Sequence, residues 1–106
     1  MPNTVRAVQL ADLIRDFVAT WIQRDFPGSF VSVTDTTLSM DLRIATVWLH
    51  PARNEDVATY HKIVKRTNHY ASQLQRSIAR RFVPALKFSL DQQVEAAEHL
   101  DQLLKK

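Results

Sequence analysis

A chain of 106 residues, 45% hydrophobic and 24% charged, has room for one domain with one modest core and is too apolar for wholesale disorder. It holds no cysteine and a single glycine, Gly28, which excludes disulfides, thiolate chemistry, cysteine-ligated zinc and any glycine-rich phosphate loop. The net charge is only +3, yet between Asp56 and Asp91 there is no acid, while Lys62, Lys65, Arg66, Arg76, Arg80, Arg81 and Lys87 give that stretch +7 and leave −4 elsewhere.

In chain order, Leu10, Leu13, Ile14, Phe17, Val18, Trp21 and Ile22 recur at helical spacing with Arg15, Asp16 and Gln23 between them. This predicts an amphipathic helix from about Thr4, as N-cap, to about Asp25, stopped by Pro27-Gly28-Ser29. Two strands are expected next, Phe30 to Leu38 and Arg43 to His50, joined by a hairpin at Ser39-Met40-Asp41. Pro51 ends the second, and Asn54 is the expected N-cap of a long helix running to about Phe82, with Glu55 and Asp56 in its first turn. Its apolar side is read as Tyr60, Val64 (with Ile63), Thr67, Ala71, Leu74 and Ile78. Val83-Pro84 terminates it. Leu86 to Leu90 alternates as a third strand, and Gln92 to Lys105 is expected as a closing helix with Asp91 as its N-cap. The order is α-β-β-α-β-α, an α+β domain spanning residues 1–106 with a three-stranded sheet packed against helices.

Enzymatic motifs are missing. His50, His61, His69 and His99 lack metal-ligand spacing, so no metal or other cofactor is expected. No serine sits in a nucleophile elbow. Asp35 and Asp41 flank the hairpin, where turn formation accounts for them more simply than acid–base chemistry. Trp21 and Trp48 lie on apolar patterns and are read as core or core-edge residues. No apolar run approaches the roughly 20 residues that span a bilayer. Met1-Pro2-Asn3-Thr4 lacks the layout of a signal peptide, so a cytoplasmic protein is expected, with neither a membrane nor a small-molecule substrate.

The acid-free stretch is the positive signal. On the long helix, Lys62, Arg66, His69, Gln73, Arg76 and Arg80 fall roughly 200° from the apolar side. A solvated face mixes signs to limit self-repulsion; one sign alone suits a polyanion. A protein-interaction module meeting an acidic partner through the same helix is the competing reading.

Two motifs add a family. Val31 to Asp35 (VSVTD) with Leu38 to Val47 (LSMDLRIATV), and Ile78 to Phe88 (IARRFVPALKF), resemble the first strand pair and the V-P-x-L-x-F segment of the ribosome-binding factor A family. Asp91, Glu95, His99-Leu100 and Leu103-Leu104 resemble its closing helix, so the likeness spans nearly the whole chain. It implies a type II KH-like fold and a non-enzymatic assembly factor, linked to growth in the cold, that acts on the 30S subunit and its 16S rRNA late in maturation. It also implies a kinked helix pair, aligned with Arg66-Thr67-Asn68, where the family's small-x-Gly motif is absent and Asn68 is expected to take the bend. The glutamate after Val-Pro is Ala85 here, and the arginine of the last helix is His99. As a monomer on this partner, the chain is expected to bind rRNA through Arg43, Lys62, Lys65, Arg66, Arg76, Arg80, Arg81 and Lys87.

Overall fold

The computed structural model describes residues 2–78 and 82–91. Its elements are α1 (Pro2–Asp25), β1 (Val31–Leu38), β2 (Ile44–Pro51), α2 (Asn54–Lys65), α3 (Thr67–Ser77) and β3 (Ala85–Leu90). The expected closing helix over Gln92–Lys105, His99 within it, and Arg80 and Arg81 lie outside the described residues. The first helix begins at Pro2 rather than near Thr4, in keeping with the preset φ of proline at a helix start.

The sheet order is β1-β2-β3, with β1 antiparallel and β3 parallel to β2. A parallel partner demands a crossover, and α2 with α3 supplies it. All three helices pack on one face, α1 against β1, α2 against β2 and α3 against β3. Strand alternation decides which side chains meet them: Val31 and Thr36, Ala45, Val47 and Leu49, and Leu86 and Phe88 are buried, whereas Thr46, Trp48 and Lys87 belong to the opposite face. A bulge between Val33 and Asp35 resets the alternation in β1. This layering is a type II KH-like α+β arrangement.

The core joins Leu10, Ile14, Val18, Trp21 and Ile22 of α1 to the inward strand residues and to Ile63, Tyr70, Leu74 and Ile78. Phe17, Trp21, Tyr70 and Phe88 form an aromatic column through α1, α3 and β3, with centroid separations of 5.5, 6.1 and 6.1 Å. Trp48, expected at the core or its edge, instead stands half-buried on the opposite face of the sheet, where strand parity puts it, its indole Nε1–H donating to the Thr37 hydroxyl at 3.2 Å.

Four further expectations are corrected. The long helix is broken into two, as the resemblance implied, but the break falls at Arg66 (φ −96°, ψ 13°), not at Asn68, which lies within α3. No left-handed residue is needed there: among the described residues the only non-glycine with positive φ is Leu42. The second helix ends at Ser77 rather than near Phe82, because Ile78 turns extended (φ −104°, ψ 117°). The buried side runs through Ile63 and Tyr70, while Val64 is 37% exposed. Asn54 is the first helical residue and Arg53 the N-cap.

Candidate nucleic-acid interface

The helix pair is anchored at its start by a buried carboxylate. Asp56, 2% exposed, accepts from the Phe30 N–H at 3.1 Å, the Arg53 N–H at 3.1 Å, and Arg53 Nε and Nη2 at 2.8 and 3.0 Å. The bond to its own N-cap backbone is one half of a capping box, with aspartate in place of glutamate. These donors, Arg53 foremost, hold the Asp56 carboxyl down to about 2. The Arg53 guanidinium also lies 4.3 Å from the Phe30 ring centroid and bonds the Gly28 carbonyl, so it locks the β1 entry to α2.

The break is anchored from α1. Asp25, its last residue, is paired by Arg24 at 2.8 and 3.2 Å, accepts from the Tyr70 hydroxyl at 2.8 Å and lies 3.4 Å from Arg66 Nη1. The Arg24 hydrogen bond, helped by Tyr70, lowers the Asp25 carboxyl to about 2, while burial and then Asp25 push the Tyr70 phenol up to about 12. At the break the Arg66 N–H bonds back to the Ile63 carbonyl at 2.9 Å, one tight turn, and the Arg66 carbonyl accepts from Tyr70 N–H at 3.0 Å to start α3. The Thr67 hydroxyl caps the Val64 carbonyl at 2.6 Å. Arg66, with its guanidinium 5.5 Å from the Phe26 ring centroid, is thus partly committed to shaping the bend.

The remaining cations of the pair take no part in these anchors. Lys62 and Lys65 on α2 and Arg76 on α3 are exposed, and none forms an ion pair among the described residues. His61, Asn68, His69 and Ser72 are exposed on the same two helices, whereas Gln73, placed on the stripe by spacing, has its Oε1 buried. Lys87 does not join this surface: Leu86 and Phe88 face the helices, so Lys87 stands on the other side of the sheet, opposite Thr46. Arg43, 83% exposed, sits in the β1–β2 turn, 3.8 Å from Asp41.

That turn is a built bracket, which sequence reading saw only as a hairpin. The Ser39 hydroxyl donates to Asp41 Oδ1 at 2.7 Å and accepts from the Arg43 and Ile44 N–H groups at 3.1 and 3.0 Å. The Ser39 bond lowers the Asp41 carboxyl. Asp35 is likewise structural, accepting from the Thr36 N–H at 2.8 Å beside the bulge. Among the described residues, no group of three or more His, Cys, Asp or Glu could hold a metal ion.

The model of ribosome-binding factor A matches residues 6–104. The chain belongs to that family. A ribosome-binding factor A of Streptomyces coelicolor is 33% identical over the whole chain and 70% of its own length; one of Ureaplasma parvum is 28% identical over the whole chain and 95% of its own. The crystal structure of ribosome-binding factor A from Thermus thermophilus matches 79% of this chain and 94% of its own with a TM-score of 0.66 at 21% identity, a likeness of fold. The bend that the resemblance implied is thus present here without a small-x-Gly motif, made by an arginine tethered to α1. The signal that reads the buried side correctly is the spacing 63, 67, 70, 74, 78 (i, i+4, i+7, i+11, i+15).

Proposed function

We propose that this chain is a non-enzymatic assembly factor, a single domain over residues 1–106, that binds the 30S subunit through 16S rRNA during late maturation. The observation that carries it is the set of exposed Lys62, Lys65 and Arg76, free of ion pairs among the described residues, on two helices where the chain runs without an acid between Asp56 and Asp91. Membership of the ribosome-binding factor A family supports a ribosomal partner. Arg66 adds charge at the bend; Arg43 and Lys87 contact from other sides, and Arg80 and Arg81 extend the basic run by sequence. Phosphate contacts set position and salt dependence, and the shape of folded rRNA supplies specificity. The protein acts as a cytoplasmic monomer; among the described residues no helix is long and apolar enough to cross a membrane.

The test is co-sedimentation with 30S particles at several salt concentrations. The variant Lys62→Glu/Lys65→Glu/Arg76→Glu should abolish it near physiological salt. Retained co-sedimentation by that variant, or loss of the wild-type interaction to an acidic protein competitor but not to free 16S rRNA, would overturn the reading.

A further inference from the structure

The sheet has two faces, and among the described residues the helices pack on only one of them. Three side chains of the other face lie across its middle. Trp48 stands on the central strand, half-buried, between the inward Val47 and Leu49. Asp35, its register partner on β1, is exposed just after the bulge. Lys87 of β3 points the same way between the buried Leu86 and Phe88. The Thr37 hydroxyl accepts the indole N–H at 3.2 Å and so fixes the rotation of the ring. Neither Asp35 nor Lys87 forms an ion pair among the described residues. They flank β2 from opposite sides, two strand spacings or about 10 Å apart at the backbone, with Trp48 between them. Asp91, just past β3, is engaged by the Thr34 hydroxyl at 2.6 Å.

Resting on the RNA-binding reading above, we infer that this open sheet face takes one unstacked, amino-bearing base of single-stranded RNA, with Trp48 as its stacking platform. The other tryptophan shows the packing use of the residue: Trp21 is buried under the helices, stacked between Phe17 and Tyr70. Trp48 lies instead on the uncovered face, its one polar atom bonded and its ring held in place. The flanking charges name the occupant. Lys87 suits a phosphate and Asp35 an amino group, and a nucleotide carries both at opposite ends of a flat ring. An apolar protein side chain would cover the indole and leave both charges desolvated and unpaired. An arginine would stack on Trp48 and meet Asp35, yet it would bring a second cation beside Lys87. Asp35 Oδ1 already accepts from the Thr36 N–H at 2.8 Å, so Oδ2 is the oxygen that meets the base. Cytosine, adenine and guanine offer it an amino group; uracil presents a carbonyl oxygen, which a carboxylate repels. This also gives Lys87 an anion that the helix pair, on the other side of the sheet, cannot bring to it.

The experiment titrates the full chain with a short oligocytidylate, the matching oligouridylate, and an abasic strand that keeps the phosphates and removes the rings. Trp48 emission is read as the difference between wild type and Trp48→Thr, which puts a strand-favouring residue on an open face. In the free chain acrylamide should quench that emission; a ring already shielded means that the chain itself or a second copy covers the face, and the inference fails. Oligocytidylate should quench Trp48 and bind about 10-fold more tightly than the abasic strand and about 5-fold more tightly than oligouridylate. Trp48→Thr should erase the first preference and Asp35→Asn the second, while Lys87→Ala should weaken all three strands alike. Should Trp48→Thr not fold, Asp35→Asn decides alone. Equal binding of oligocytidylate and the abasic strand by wild type, or Trp48 emission that RNA leaves unchanged, overturns the inference. So does a Trp48→Thr variant that binds 30S particles less well but protein-free 16S rRNA equally, because the occupant is then a protein. If it fails while Lys62→Glu/Lys65→Glu/Arg76→Glu still loses the 30S particles, the RNA-binding reading stands. If that variant keeps them and no strand binds the wild type, both fall.

Discussion

The phenol of Tyr70 donates to the carboxylate of Asp25 at 2.8 Å, tying the first turn of α3 to the last residue of α1 across 45 positions of sequence. Because Arg66 reaches the same carboxylate, the bend between α2 and α3 is set by a group outside the helix pair. Tyr70→Phe keeps the stack between Trp21 and Phe88 and removes only the hydroxyl bond. We expect about 1–2 kcal/mol of lost stability, read as a lower urea midpoint with an unchanged slope. Asp25→Ala should cost more, since it strands a buried phenol and releases Arg66 together.

Arg66 and Lys62 share a charge and differ in employment. Lys62→Ala removes a solvated cation and should leave stability within about 0.5 kcal/mol while lowering the salt slope of 30S binding by about 0.7–0.9. Arg66→Ala should lower that slope and also destabilise the fold by about 1 kcal/mol, because it loses Asp25 and the Phe26 ring. Chemical denaturation beside salt-dependent co-sedimentation separates the two outcomes.

Asp25 and Asp56 both stand at about 2 in the folded chain against 3.8 for an unstrained aspartate. The unfolded chain therefore takes up their protons first as acid is added. Their contribution is complete above about pH 4–5 and drains away as pH falls towards 2. Denaturant midpoints measured across that window should drop steeply for the wild type. In Asp25→Asn and Asp56→Asn the drop should be shallower, from a lower starting stability. Asp56→Asn should be the more damaging at neutral pH, since one buried carboxylate serves two backbone N–H groups and Arg53.

What sequence could show divides along these contacts. The α1 stripe and the alternation of β3 were legible because each element meets one partner surface with an unbroken period, whereas the run Val47-Trp48-Leu49 hid the parity of β2. The α2–α3 run was not, because Ile63-Val64 and Tyr70-Ala71 offer two apolar stripes a residue apart. Packing against Trp21 and Phe88 chooses the one with Tyr70. A bend made by Arg66 carries no glycine to announce it, since its cause is Asp25 in another helix. Likewise Asp56 reads locally as a first-turn acid; its burial comes from Phe30, 26 positions away. Of the charged candidates, Lys62, Lys65 and Arg76 were readable as exposed helix residues, while strand parity sends Lys87 to the far face.

The Ser39 bracket gives the last prediction. One hydroxyl accepts from two successive N–H groups and orients Asp41, so its loss leaves the Ile44 N–H to water, leaves the Arg43 N–H with an Asp41 carboxylate no longer held in place, and relaxes Leu42, held at φ 60°. Ser39→Ala should cost about 1–2 kcal/mol and speed hydrogen exchange at the Arg43 and Ile44 amides well before that of Ala45 or Val47 in the strand. Arg43 would then sample more positions, so any binding that depends on it should weaken while the contribution of Lys62 and Lys65 stays. A variant in which exchange quickens evenly across β2 would instead mean that the hydroxyl supports the whole hairpin, and the bracket would not be a local device.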